Sequence, residues 1–434
     1  MTESRPLNRI LDSFFEQGPE ELSDRVLASA LEEIDHIPQR RRLAGLRRFP
    51  TMTPPTRLAA AAVIGVVALG GAFYLLRPAD SIGPPPATLS PTPRASASTT
   101  DTPASAWQLT GPPGVDRGVR GVTVQLLDGR VLLAGGTDGA SSSAELYDPA
   151  TGTWAPTGLM GNGRSYPGGV RLDDGRVLVV GGFDGRASLW SAEIYDPATG
   201  TWSFVAPMYD PRQQLFAVLL EDGRVLVGGG GTDQGLSPTT EIYDPQTDTW
   251  ARANDMSVGR AGPLTARLLA DGRVLVTGGF SDDAGSSDLF DPTSGKWTPG
   301  PRVPLLSGDE GASVGLAGGT VLLVGDEPSE AAVFDPAGSW EPTAPLMGTY
   351  DDLVVAVRLA DGRALLVGGS SSSDLAAAEL YDPATNLWSA AGRLASVQLV
   401  WSATALPSGN VMVVGRTSGD DGTQVAEVLD PSGL

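Results

Sequence analysis

The sequence predicts an all-β protein, a seven-bladed β-propeller over residues 107–434, preceded by a short helical arm, one transmembrane helix and an extended stalk. Three observations carry that prediction. A hairpin, strand and diglycine pattern recurs seven times. The 56 Gly and 35 Pro among 434 residues would interrupt long helices. One uncharged run of 19 residues, Leu58 to Leu76, is long enough to cross a bilayer core of about 30 Å.

In chain order, residues 1–57 come first as a cytoplasmic arm. Leu7, Ile10, Leu11 and Phe14, then Val26, Leu27, Ala30, Leu31 and Ile34, fall at helical spacing, and Ser23 or Asp24 can cap the second helix. Arg40, Arg41, Arg42, Arg47, Arg48 and Arg57 crowd the near flank of the apolar run, so the positive-inside rule puts the N-terminus in the cytoplasm. The run begins too late for a secretory signal and no small-x-small cleavage site follows, which predicts a retained anchor over 58–76. A buried Ala-rich core helix is the alternative. Residues 77–106 hold seven Pro, five Ser and five Thr among few large apolar residues, a composition for a stalk and not a core.

The outer domain, 107–434, is read from its repeats. DGRVLLAGG from Asp128, DGRVLVVGG from Asp174, DGRVLVGGG from Asp222, DGRVLVTGG from Asp271 and DGRALLVGG from Asp361 are the clear copies, with weaker ones from Gly318 and Ser408. Successive copies lie 46, 48, 49, 47, 43 and 47 residues apart, too close for separate domains and right for four short strands each. Asp-Gly supplies the positive φ of a tight hairpin between the first and second strands. An aromatic or Leu before Asp-Pro follows at Tyr147, Tyr195, Tyr243, Phe290, Phe334, Tyr381 and Leu429, marking a turn from third to fourth strand. A Trp comes next in six copies; the seventh copy ends at Leu434 without one, and an unmatched Trp107 precedes the first. The N-terminal strand is therefore expected to complete the last blade.

Diglycine, Tyr-Asp-Pro and Trp at this period resemble the kelch repeat, and the resemblance covers 107–434. It implies blades stacked radially around an axis, each burying its neighbour's faces. The fifth copy departs most, with Gly325-Asp326 for the diglycine and Ala332 where the others hold Glu or Asp, and reads as a degenerate blade. The propeller also resembles the central domain of galactose oxidase, whose copper site uses two His, two Tyr and a Cys. This chain has no Cys and one His, His36, in the arm, so that chemistry cannot be carried over, and no cofactor is expected. The missing Cys also excludes disulfides, thiolate nucleophiles and Cys-based metal sites.

Charge narrows the partners. Residues 1–57 balance nine Arg against nine Asp or Glu, while the remainder carries 21 Lys or Arg against 42 Asp or Glu, so the net −21 lies beyond the arm. Nucleic acid, which needs a basic surface, is not an expected partner.

Glu145, Glu193, Glu241, Asp288, Glu379 and Glu427 recur two residues before the Asp-Pro aromatic or Leu, and a sixfold position predicts a structural hydrogen bond, not catalysis. Binding residues are expected where blades differ. Near the starts of the innermost strands four blades place Arg117, Arg164, Arg212 and Arg260, and later blades place Asp309, Asp351 and Gln398. This lopsided charge at the channel mouth is either a ligand site or solvated rim charge. Trp190, in the loop from Phe183 to Ser191, is a stacking candidate for a sugar or peptide; Trp401 is expected in the core. The acidic loops from Ser281 and Ser418 lack EF-hand spacing and read as solvated charge.

The expected function is a membrane-anchored extracytoplasmic module binding a protein or carbohydrate on its outward loop face. Two other readings stay open. The arm is weakly similar to those before the single span of many bacterial membrane proteins, including some anti-sigma-like sensors, which would give it a cytoplasmic protein partner. A metal-free carbohydrate isomerase or epimerase on the propeller is the second.

Overall fold

The computed structural model describes residues 107–434 except 118–120, 137–139, 282, 284, 305–310, 326–329, 349, 351–353, 369–375 and 418–422. The arm, the apolar run and the stalk lie outside the described residues, as do Asp309 and Asp351. Among the described residues no helix is long and apolar enough to cross a membrane.

Seven four-stranded antiparallel sheets form the propeller. Blade 1 runs through Gly121–Gln125, Val131–Gly135, Ala144–Asp148 and Thr153–Pro156, and blades 2 to 6 repeat this meander. In blade 7 the order is Leu399–Ala405, Val411–Arg416, Gln424–Leu429 and then Trp107–Thr110 from the start of the domain. Trp107 lies opposite Leu429 and Thr110 opposite Ala426. The ring thus closes between the two ends of the domain, as the unmatched Trp107 predicts.

The second strand of each blade has neighbours on both faces, so it reads as an unbroken apolar run: all four residues of Val177–Val180 are buried. Between third and fourth strands, Tyr147–Trp154, Tyr195–Trp202, Tyr243–Trp250, Phe290–Trp297, Phe334–Trp340 and Tyr381–Trp388 pack with ring centroids 5.0 to 5.2 Å apart. The Trp also ties blades together: Trp202 Nε1 donates to Gly158 O at 2.9 Å and Trp250 Nε1 to Ala206 O at 2.6 Å, both in the connection from the preceding blade.

The diglycine is a second tie. Gly135 and Gly136 both take positive φ, 73° and 88°, and Gly136 N–H donates to Arg164 O of the next blade at 2.9 Å. A side chain at Gly136 would run into the Arg117 backbone. Asp-Gly hairpins and Asp-Pro turns share one axial end, the turn face. The longer connections between second and third strands and between blades form the other end, the loop face.

Candidate functional site

The four repeated arginines sit where the chain enters a new blade, and the structure corrects their expected place at an open rim. Arg117, Arg164, Arg212 and Arg260 are all fully buried. Arg164 is typical. Its Nη2 pairs with Glu193 at 2.6 Å and its Nη1 donates to Gly181 O and Ser191 O at 2.8 and 3.0 Å. The same pair forms at Arg117–Glu145 (3.0 Å), Arg212–Glu241 (2.9 Å) and Arg260–Asp288 (3.1 Å). Burial lowers Arg117, Arg164 and Arg260 below their usual value, with the partner carboxylate opposing it. In all four the Nε has no hydrogen-bond partner, a desolvation cost that recurs with the geometry.

The carboxylate is the other half of this clasp. Glu193 accepts from the backbone of Gly161 at 2.6 Å and Asn162 at 3.0 Å, Glu145 from Gly114 and Val115, and Glu241 from Tyr209 and Asp210. Each thus pins the chain arriving from the preceding blade, in agreement with a repeated structural hydrogen bond. The arginines hold the fold and are not free for a ligand.

Blades 5 to 7 dismantle the clasp. Blade 5 has Ala332 in place of the carboxylate. In blade 6, Glu379 still accepts from Met347 and Gly348, but its side-chain donor is the Tyr350 hydroxyl at 2.9 Å. Tyr350 holds the place of the arginine, one residue before Asp351, an offset that sequence spacing missed. In blade 7, Glu427 accepts from the backbone of Ala395, Ser396 and Val397.

What varies between blades is exposed on the loop face of blades 2 and 3. Trp190 is 60% exposed and its carbonyl accepts from Met208, which places it beside Tyr209, itself 56% exposed. The Arg252 guanidinium lies over the Tyr209 ring, 5.1 Å from its centroid, and grips Asp210 through two bonds of 2.7 and 2.8 Å. Arg252 thereby holds the Asp210 carboxyl below its usual range. A small hairpin, Gly231–Thr232 with Gly235–Leu236, borders a cleft of about 430 Å³ that Asp210 and Pro211 also line. Tyr209, Asp210 and Arg252 escaped sequence analysis because each falls in or beside a repeated element; only their differences from other blades mark them.

The turn face is uniform by comparison. Asp128–Arg130, Asp174–Arg176, Asp222–Arg224, Asp271–Arg273 and Asp361–Arg363 form the same short surface ion pair. Among the described residues no group of three His, Cys, Asp or Glu could hold a metal. In the loop from Ser281, Asp283 pairs with Arg302 at 2.7 Å.

The kelch motif matches residues 119–157 and 164–209, the spans of blades 1 and 2. A fungal alcohol oxidase of the AA5 family, solved in complex with copper, is structurally similar, with a TM-score of 0.59, 19% identity, and coverage of 75% of this chain and 76% of that one. No curated protein matches the chain. At that identity the likeness shows the shared fold, and the residues here do not fit a copper centre: the chain has no Cys and a single His. This chain therefore carries kelch motifs on a seven-bladed propeller.

Proposed function

We propose that this kelch-motif propeller is an interaction module, held outside a membrane by Leu58 to Leu76, that binds a protein or glycan through its loop face. One observation carries the reading. The repeated arginines at the blade entries are engaged inside the blades, whereas Tyr209 with Arg252 over its ring, and Trp190 in the neighbouring loop, which no repeat requires, are exposed. Exposed aromatics on neighbouring loops, one of them beside a guanidinium and a carboxylate, suit a ligand with both apolar faces and polar groups.

The described chain enters the propeller at Trp107, which lies beside Leu429 at the turn-face end of blade 7. Protease added outside intact cells should release the propeller and leave a tag at residue 1 protected; release of neither end, or of both, contradicts the topology. For the site, full-length protein is screened on glycan and peptide arrays, and hits are retested with Trp190→Ala and Arg252→Ala. Loss of binding with an unchanged melting temperature supports the loop face, and unchanged binding in both variants removes it.

A further inference from the structure

The central channel holds a cavity of about 400 Å³ walled by the innermost strands of blades 1, 4, 5, 6 and 7. That volume suits a small molecule. Although the chain carries a net charge of −21, no carboxylate among the described residues lines this cavity. Two of the residues that do line it break the repeat.

The first is Arg267. It pairs across its blade with Leu275, and the matching positions, opposite Leu132, Leu178, Leu226, Leu322, Leu365 and Met412, hold Val124, Val170, Val218, Val314, Val357 and Thr404. An arginine thus replaces a residue that five blades make valine. Its Nη2 donates to Ser313 O at 2.7 Å, and among the described residues no carboxylate pairs with it. The side chain reaches channel solvent, and the enclosing protein lowers its pKa by desolvation alone; an arginine keeps its charge there.

The second is Trp401. The register of the blade 7 innermost strand shifts between Val400 and Ser402, so Trp401 is the extra residue of a bulge, a device that re-aims a side chain. It packs partly on the core between blades 7 and 1 and partly lines the cavity. Blades 4 and 7 face one another across a seven-membered ring. Arg267 and Trp401 therefore enter from opposite walls, with the hydroxyls of Thr123, Ser402 and Thr404 also in the lining.

We propose that the cavity binds a small hydroxylated monocarboxylate, with Arg267 as its counter-charge, Trp401 as the apolar wall and the Thr and Ser hydroxyls as polar partners. The other lining arginine, Arg117, is matched by Glu145, which leaves one positive charge in the lining without a carboxylate among the described residues and so favours a monoanion. The site stands apart from the loop-face reading, since neither residue lies on those loops.

Calorimetric titration of the full-length protein with glucuronate, glucose and inorganic phosphate tests the proposal. Glucuronate should bind at least tenfold more tightly than either comparator. Arg267→Val and Thr404→Val install the residue that five blades already carry, so both should fold; the first should weaken glucuronate at least tenfold and the second about threefold. The ligand series needs no variant at all. Equal binding of glucose and glucuronate, tighter binding of phosphate, no heat at about 10 mM glucuronate, or an Arg267→Val protein that binds as wild type each overturns the assignment.

Discussion

Two partial rings of arginine–carboxylate pairs, an inner one in blades 1 to 4 and an outer one in blades 1 to 4 and 6, run around this propeller, and they differ above all in access to water. In blade 2 the inner pair, Arg164–Glu193, spans 2.6 Å and the outer pair, Arg176–Asp174, spans 2.7 Å. The inner side chains are 0% and 1% exposed, the outer ones 39% and 50%. Length alone would rank them equal. The inner pair sits where a lone charge cannot be solvated, so each partner is there to make the other tolerable. The outer pair competes with solvent and salt at every moment.

The largest expected effect is therefore Arg164→Ala. It leaves the Glu193 carboxylate buried with only the Gly161 and Asn162 N–H groups, and should cost about 3–5 kcal/mol. Urea titration of wild type and variant reads it as a fall in midpoint. A cost under about 1 kcal/mol would erase the difference between the rings.

Removing both partners should be milder. Arg164→Ala with Glu193→Ala takes away the stranded charge along with the pair, as blade 5 has done with Ala332. The double variant should be less destabilised than the sum of the two singles by about 1–3 kcal/mol, the coupling expected within one network. Additive losses would mean that the partners act independently and that the clasp is not a unit.

The seven blades, the closing strand and the structural carboxylates were legible in the sequence because each depends on spacing along a strand or turn, which repetition averages. The burial of the arginines was not. They lie in connections, where no alternation dictates which way a side chain points, and only the carboxylate and carbonyls found there fix Arg164 inside. Tyr350 was hidden by a one-residue offset from Asp351. Trp401 was expected in the core, against which it partly packs; its share in the cavity wall was hidden by a bulge, since an extra residue absorbed locally leaves the repeat length unremarked. The cavity was invisible for a related reason: Arg267 and Trp401 are 134 residues apart and share only the axis.

Blade 6 sharpens the contrast with a neutral donor. Tyr350→Phe removes one hydroxyl from Glu379 but leaves the two backbone donors, so it should cost about 1–2 kcal/mol, less than the loss of an arginine. It also has a pH signature. Burial first, then the Glu379 charge and hydrogen bond, push Tyr350 well above its ordinary 10.0. The folded state therefore favours the protonated phenol more than the unfolded state does. That stabilisation is complete below about pH 10 and is lost as pH rises beyond it toward the folded value. Urea midpoints measured between pH 9 and pH 11 should fall less steeply in the variant; parallel slopes would remove Tyr350 from the alkaline response.

The smallest effect belongs to the outer ring. In Asp174, burial alone would raise the carboxyl, but the Arg176 side chain and backbone N–H outweigh it and hold the pKa below 3.8. The sign is then opposite to that of Tyr350: the folded state favours the charged form, the contribution is present above about pH 4, and it is lost as pH falls through the folded value. Because both side chains are well exposed, Arg176→Ala should cost no more than about 1 kcal/mol at neutral pH. Its cost should shrink further at high salt, where exposed charges are screened over a few ångströms, whereas the cost of Arg164→Ala should hardly change. Urea midpoints of the two variants at low and high sodium chloride make the comparison directly. Equal salt dependence would mean that water reaches the inner ring as freely as the outer, and the two sets of pairs would then have to be explained by something other than burial.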